Sequence, residues 1–221
     1  MSDAELDVGT LAVAPEQASS LRMLVTLGSA GALAGLLIVV VYNITLGPIE
    51  AHKAEVLRRA VSEVLNGPAA YETLYATPQA VFEAPPAAGA EGDAEKIYVG
   101  LDANGRATGV AVKAAAAGFQ DVITLLYGFD PSTGKLLGMK VLESKETPGL
   151  GDKIEKDLAF VAQFQGATPP LAAVKRASGA LGEIDAITGA TISSRTVVRI
   201  INESLARLRT PIEEHFPEAS P

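Results

Sequence analysis

The sequence predicts an α+β protein: one N-terminal transmembrane helix, then a single domain in which an antiparallel sheet carries packed helices. Three observations point there. An uncharged apolar run extends from Met23 to Ile44. Strand-like segments follow one another between residues 96 and 143, separated by turns rich in glycine, asparagine and aspartate. Beyond Thr191 the apolar residues Val197, Val198, Ile201, Leu205 and Leu208 recur mostly three or four apart, the spacing of one helix face.

Taken in order, residues 1–22 read as a short tail in which Asp3, Glu5, Asp7 and Glu16 outnumber Arg22. The run MLVTLGSAGALAGLLIVVVYNI at 23–44 is long enough to span a bilayer core. A cleaved signal peptide would need a basic start, a short apolar core and a small-residue cleavage site, so the acidic start and long run favour an uncleaved single-pass anchor. Tyr42 falls where an interfacial aromatic belongs, and Gly31 and Gly35 allow close approach of another membrane helix, although glycine is common in such helices. Lys53, Arg58 and Arg59 after the anchor outnumber Arg22 before it, a small bias towards a cytoplasmic domain.

Gly47-Pro48 is expected to break the membrane helix, with Pro48 opening a juxtamembrane helix over 48–67. Ile49, Val56, Leu57, Ala60, Val61, Val64 and Leu65 give that helix an apolar stripe, and Asn66-Gly67-Pro68 ends it. The remaining domain occupies 68–216. Within it, residues 84–94 read as a loop. Lys96–Leu101, Ala107–Lys113, Val122–Phe129 and Lys135–Glu143 read as an antiparallel meander with turns at Asn104-Gly105 and Asp130–Gly134. Ile154, Leu158, Val161 and Phe164 mark a helix, and the segment after Thr191 forms the last one. The helices are expected on one side or end of the sheet.

Composition excludes several kinds of chemistry. The chain of 221 residues carries a formal net charge of -8, which disfavours nucleic acid as a partner. It has no cysteine, hence no disulfide, no cysteine-ligated iron–sulfur cluster and no CxxCH haem attachment. His52 and His215 lie far apart in sequence, a poor basis for a zinc or haem site, so no metal ligand is assigned. Redox chemistry in this chain would need an organic cofactor. Gly128-FDPST-Gly134-Lys135 imitates a phosphate loop, but its glycine spacing is one residue too long and Leu136 replaces the magnesium-binding hydroxyl. Gly149-Leu150-Gly151 lacks the third glycine of a dinucleotide fingerprint, since Ile154 stands there. The glycosylation sequons at Asn43 and Asn202 fall at the membrane boundary and on a helix.

Two motifs carry chemistry. Thr188-Gly189-Ala190-Thr191, followed by Ile192-Ser193-Ser194, puts a hydroxyl between a tight turn and the first turn of a helix, which Ser193 or Ser194 can cap. A helix start offers unpaired N–H groups and a partial positive charge, and so attracts phosphate. Thr191 could carry a phosphate ester there; an ordinary turn and cap is the competing reading. The second motif, Lys145-Glu146-Thr147-Pro148-Gly149-Leu150-Gly151-Asp152, joins the last meander strand to a helix. Its proline and glycines fix a backbone path that can approach a flat ligand, and Glu146 and Thr147 could hydrogen-bond a heterocycle's edge. A purely structural loop with Asp152 as a helix cap is the alternative.

ETPGLGD followed about forty residues later by DAITGATISS, behind an N-terminal membrane helix, resembles the FMN-binding subunits of membrane ion-pumping oxidoreductases. These are the G subunit of the Rnf complex, to which KETPGLGDKIE is the more similar, and the C subunit of the sodium-translocating NADH:quinone oxidoreductase. The resemblance implies FMN joined through its phosphate to the last threonine of the S/T-G-A-T motif, here Thr191, by a separate flavin transferase that uses FAD. Members often read SGATxTS; here Thr188 replaces Ser and Ser193 replaces Thr, each keeping a hydroxyl. It further implies that Glu146, Thr147 and Leu150, with Thr188, Gly189 and Ala190, lie around the flavin, and that the domain is extracytoplasmic on the cytoplasmic membrane, against the charge bias. The function implied is an electron relay among the other subunits of an Rnf-type ferredoxin:NAD oxidoreductase that moves ions. The alternatives are the C subunit of the quinone-reducing complex and a flavin-free anchored binding or assembly module.

Overall fold

The computed structural model describes residues 20–85 and 94–216, so the tail through residue 19 and most of the loop expected at 84–94 lie outside the described residues. The chain divides into two compact units, Met1–His52 and Lys53–Pro221. The described part of the first is entirely helical and exposed, and belongs to α1, Ser20–Val64. This helix is long and apolar enough to cross a membrane, with a mean hydropathy of 2.4 over its most apolar window. Polar side chains in the apolar stretch bond within the helix: Thr26 donates to the Arg22 carbonyl, Ser29 to Thr26 O, Asn43 to Val39 O and Thr45 to Val41 O. That is how such groups are satisfied where water is absent.

The expected break at Gly47-Pro48 does not occur, since α1 runs helical through Pro48. Proline removes one amide donor and crowds one carbonyl; the regular turns on either side carry the helix across it. The helix stops where the sequence indicates. Asn66 and Gly67 both take positive φ, 58° and 75°, and Gly67 N donates to Ser62 O at 2.7 Å, closing a glycine-type C-cap.

In the second unit, six antiparallel strands pair in the order β2-β1-β3-β4-β5-β6. β3 (Glu95–Leu101), β4 (Ala107–Ala117), β5 (Val122–Asp130) and β6 (Lys135–Glu143) are the expected meander. β1 (Ala70–Ala76) and β2 (Val81–Phe82) extend it at the β3 edge and were not expected. AYETLYA shows no apolar–polar alternation that would mark it as a strand, and only Leu74 and Ala76 of it are buried. The alanines at 114–117 lengthen β4 beyond Lys113 because they pair with Val122–Leu125 of β5.

The sheet is buried on both faces, where cover on one side or end was expected. Ile97, Val99, Val110, Val112, Leu125 and Tyr127 join the long core under α4 (Thr191–His215), with Val197, Ile201, Leu205 and Leu208. The intervening residues Tyr98, Ala111 and Leu126 point the other way, on to Ala60, Val61, Val64 and Leu65 at the end of α1. Two-sided burial explains why these strands are almost continuously apolar rather than alternating. Gly128 belongs to this arrangement: a Cβ there would stand 2.4 Å from the Val64 carbonyl oxygen, so the glycine lets the helix end lie close on the sheet. The segment after it is a hairpin turn closed by Asp130, which accepts from Ser132 N at 2.9 Å and from the Thr133 hydroxyl at 2.7 Å.

After β6 the expected single helix is two short ones, α2 (Lys153–Lys156) and α3 (Leu158–Ala162). Asp157 divides them, because its side chain accepts from Ala159 N and Phe160 N at 3.0 and 3.2 Å and starts a new helix. Asp152 occupies the N-cap position of α2 but makes no capping bond; its Oδ2 accepts from Lys156 Nζ at 2.7 Å. β7 (Ala172–Val174) and β8 (Glu183–Asp185) form a small parallel pair that lay below the sequence signal. Asn202 on α4 holds the chain just before β7, accepting from Leu171 N and donating to Leu171 O, both at 2.8 Å. The side-chain amide of this sequon is therefore structural.

Asp157→Ala is expected to lower stability by about 1 kcal/mol, the worth of a helix N-cap, with Asp157→Ser retaining most of it. Urea unfolding of the two variants beside wild type checks this.

Candidate functional site

The two motifs meet at one end of the sheet. β4 ends and β5 begins there, joined by the turn 118–121, and β6 leaves there into residues 144–152. α4 starts beside them. A cleft of about 280 Å³ is lined by Phe119, Glu146, Thr147, Leu150, Gly151, Gly189, Ala190, Thr191, Ile192 and Ser193. Of the seven residues singled out in the sequence, Glu146, Thr147, Leu150, Gly189, Ala190 and Thr191 come together here. Thr188 does not; it lines a neighbouring hollow with Lys153, Lys156, Asp157 and Gln163.

The TGAT turn is built by Gly189, whose φ of 86° is open to glycine and strained for other residues. Thr191 is the first residue of α4, half-buried, with Ile192 exposed after it. Neither Ser193 nor Ser194 caps the helix as expected: the N-cap position is Ala190, without a side-chain bond. Ser194 is buried, accepting from Ile187 N at 3.1 Å and donating to Ala190 O at 2.9 Å, which ties the TGAT turn to the helix. Ser194 N bonds Ala190 O, so the amides ahead of it are those that helix geometry leaves without an intrahelical acceptor.

Ser193 donates instead to Glu146 Oε2 at 2.6 Å. The other oxygen of this carboxylate, Oε1, accepts from Phe119 N at 2.9 Å and Gln120 N at 3.0 Å. Glu146 is only 5% exposed and lies between two glycines. A Cβ on Gly118 would stand 2.5 Å from Oε1, and one on Gly151 would stand 2.7 Å from Oε2. Burial pushes the Glu146 carboxyl up, but the Ser193 hydroxyl and the amides of 119–121 outweigh it and hold it below its usual value. On either side, Lys145 pairs with Asp121 at 3.2 Å and the Thr147 hydroxyl donates to Gln120 Oε1 at 3.0 Å. Three successive residues thus grip one turn.

Sequence reasoning missed Phe119, Gly151, Ile192 and Ser193 as lining residues. Phe119, at 66% exposure on a turn tip, is the least expected of them. Its signal was an aromatic placed among turn formers, Gly118, Gln120 and Asp121. Arg195 was also missed. It lies one turn after Thr191, is exposed, and shares with it the outer face of α4.

The donor set fits a flat heterocycle carrying a phosphate. Phe119, Leu150 and Ile192 supply apolar walls, Thr147 and the backbone supply edge partners, and the start of α4 supplies backbone amides suited to an anion. The FMN-binding domain family matches residues 118–206, from the Phe119 turn to the middle of α4. The fold is similar to that of NqrC from Shewanella oneidensis, with a TM-score of 0.65 at 17% identity over 76% of this chain and 99% of that one.

Relatives in sequence are more specific. The G subunit of the ion-translocating oxidoreductase complex of Pseudomonas aeruginosa is 34% identical over 76% of this chain and 79% of its own length. Its counterpart in Methanosarcina acetivorans is 29% identical over 83% of this chain and 92% of its length. Other relatives of the same name match over about half their length. The chain belongs to the family of G subunits of ion-translocating oxidoreductase complexes.

The Glu146 carboxylate makes a definite pH dependence. Its folded value is depressed, so its contribution is fully present above the unfolded glutamate value of about 4.3 and is lost as pH falls through the lower folded value. The stability gap between wild type and Glu146→Gln is expected to be widest above about pH 5 and to close in more acidic solution. Thermal unfolding of both across that range measures it.

Proposed function

We propose that this protein is a membrane-anchored flavoprotein subunit that relays electrons within an Rnf-type ion-translocating oxidoreductase, with FMN held covalently at Thr191. The observation that carries the reading is the meeting of the two motifs in one cleft, with the Thr191 hydroxyl at the first residue of α4. Family membership supports the role as a complex subunit, and the FMN-binding domain match supports the cofactor.

The attachment chemistry proposed is the one that the resemblance of the TGAT motif implies. The Thr191 oxygen attacks the flavin-side phosphorus of FAD on a separate transferase; the phosphoanhydride bond breaks, a phosphoester to Thr191 forms, and AMP leaves with the hydroxyl proton. Both products stay charged, and the new phosphodiester keeps one negative charge. The amides at the start of α4 would solvate that charge, with Arg195 one turn along as an added positive charge. Phe119, Leu150 and Ile192 would wall the ring system against water, and Thr147 would meet a polar edge. The bound flavin supplies one- and two-electron redox chemistry that no side chain of this chain offers. The protein's part is to fix its position and surroundings.

The anchor reading rests on the apolar length of α1. With the domain outside the cytoplasm, a tether keeps a cofactor that could not be replaced there once lost. The subunits that give and take electrons are the other members of the same membrane complex.

Full-length protein, coexpressed with a flavin transferase and purified in detergent, is expected to gain the mass of one FMN less water. Thr191→Ala should gain nothing, and Arg195→Ala should show a lower flavinylated fraction at matched expression. Absence of the adduct in wild type, with the transferase active on another acceptor, would sink the covalent reading.

A further inference from the structure

Glu146 lines the cleft, yet both its oxygens are already engaged by protein. Oε1 takes two amide hydrogens from the 118–121 turn, and Oε2 takes the Ser193 hydroxyl of α4. Little of its surface is left for a ligand, at 5% exposure. The turn it grips has one exposed apolar side chain on the cleft, Phe119. Without the carboxylate, two adjacent amides at a hairpin tip would lose their acceptor. The turn would keep its own Gly118 N–Asp121 O bond, and Arg199 of α4 would still reach Ala117 O at the end of β4, but Phe119 and Gln120 would be held only through the exposed Lys145–Asp121 and Thr147–Gln120 contacts. Exposed pairs of this kind contribute little. The glycines at 118 and 151 are required by the same clamp, since a Cβ at either would displace the carboxylate.

We propose that Glu146 is a positioning residue: it does not bind the flavin but locks the β4–β5 turn to the start of α4, and so fixes Phe119 as the apolar wall of the cofactor cleft. The proposal rests on the flavin reading of this cleft for its functional consequence. The clamp itself is a property of the protein alone.

The clamp is tested first in the flavin-free full-length Thr191→Ala chain, by hydrogen exchange at the amides of 119 and 120. Hydrogen bonds to a charged acceptor are strong enough that Glu146→Ala should speed exchange there about tenfold or more, with β5 and β6 amides unchanged. Glu146→Gln, which keeps an acceptor oxygen for the turn, should change it much less. Unchanged exchange in Glu146→Ala overturns the proposal, as does a uniform rise across the sheet in both variants. Should Glu146→Ala fail to fold, Ser193→Ala removes only the α4 side of the clamp and is expected to raise exchange at the same two amides.

The wall is then tested in the flavinylated chain, by iodide quenching of flavin fluorescence at constant ionic strength. Phe119→Ala and Glu146→Ala should each raise the quenching constant, the double variant should go no further than Phe119→Ala, and Glu146→Gln should stay near wild type. Additive effects, or a rise in Glu146→Gln as large as in Glu146→Ala, would mean that the carboxylate acts by its charge and not through Phe119, and the proposal falls. A wild-type chain that never accepts flavin would overturn the function proposed above, while the exchange result would still decide the clamp.

Discussion

Burial of the meander on both faces is the constraint from which the rest of the structure follows. Tyr98, Ala111 and Leu126 cannot share a cover with Val99, Val110 and Tyr127, because neighbours along a strand point to opposite sides. The domain therefore needs one helix from before the sheet and one from after it. α1 arrives from the N-terminal side and seats its last turns over Gly128. α4 must run under the opposite face from its first turn onward, with Val197, Ile201 and Leu205 in the core. That requirement fixes where α4 begins, and its beginning brings Thr191 to the end of the sheet where β4, β5 and β6 turn.

The site is accordingly a product of loops held by a rigid frame. None of the cleft-lining residues belongs to the interior of a strand: Phe119 is on a turn, Glu146–Gly151 form a connection, and 189–193 are a turn and a helix start. Loops in such a place need internal bonds to keep a shape, and the polar groups buried here serve that end. Ser194 closes the TGAT turn on to the helix, and Glu146 joins its two neighbours.

Much of this was legible in the sequence, for identifiable reasons. β3 to β6 were readable because apolar runs such as KIYVGL and VITLLYGF end at unmistakable turns. The long apolar helix was readable from hydropathy, and the two motifs from their residue types. What escaped depended on contacts between distant residues. β1 lacks an alternating pattern in sequence and is a strand because it pairs with β3 along its length. The 154–164 segment has helical spacing, but Asp157 prefers to cap and so splits it. Pro48 looked like a breaker, although one missing donor is not enough to end a long helix. The serines after Thr191 looked like caps, whereas burial turned Ser193 towards Glu146, forty-seven residues back. Phe119 showed only as an aromatic among turn formers, a faint signal, because its place is set by the long-range bonds of its turn to Glu146.

The end of α1 has one more consequence. Ala60, Val61 and Val64 are among the least exposed residues of the second unit, and they lie on the helix that carries the apolar segment, with Leu65 buried just after its end. A protease that cut the chain after Val64 would not free a working domain; it would strip one face of the sheet and leave Tyr98, Ala111 and Leu126 bare. Only a cut ahead of Lys53 would leave that core whole. Release of an intact domain is therefore open only to cleavage ahead of those buried turns, in the exposed stretch of α1.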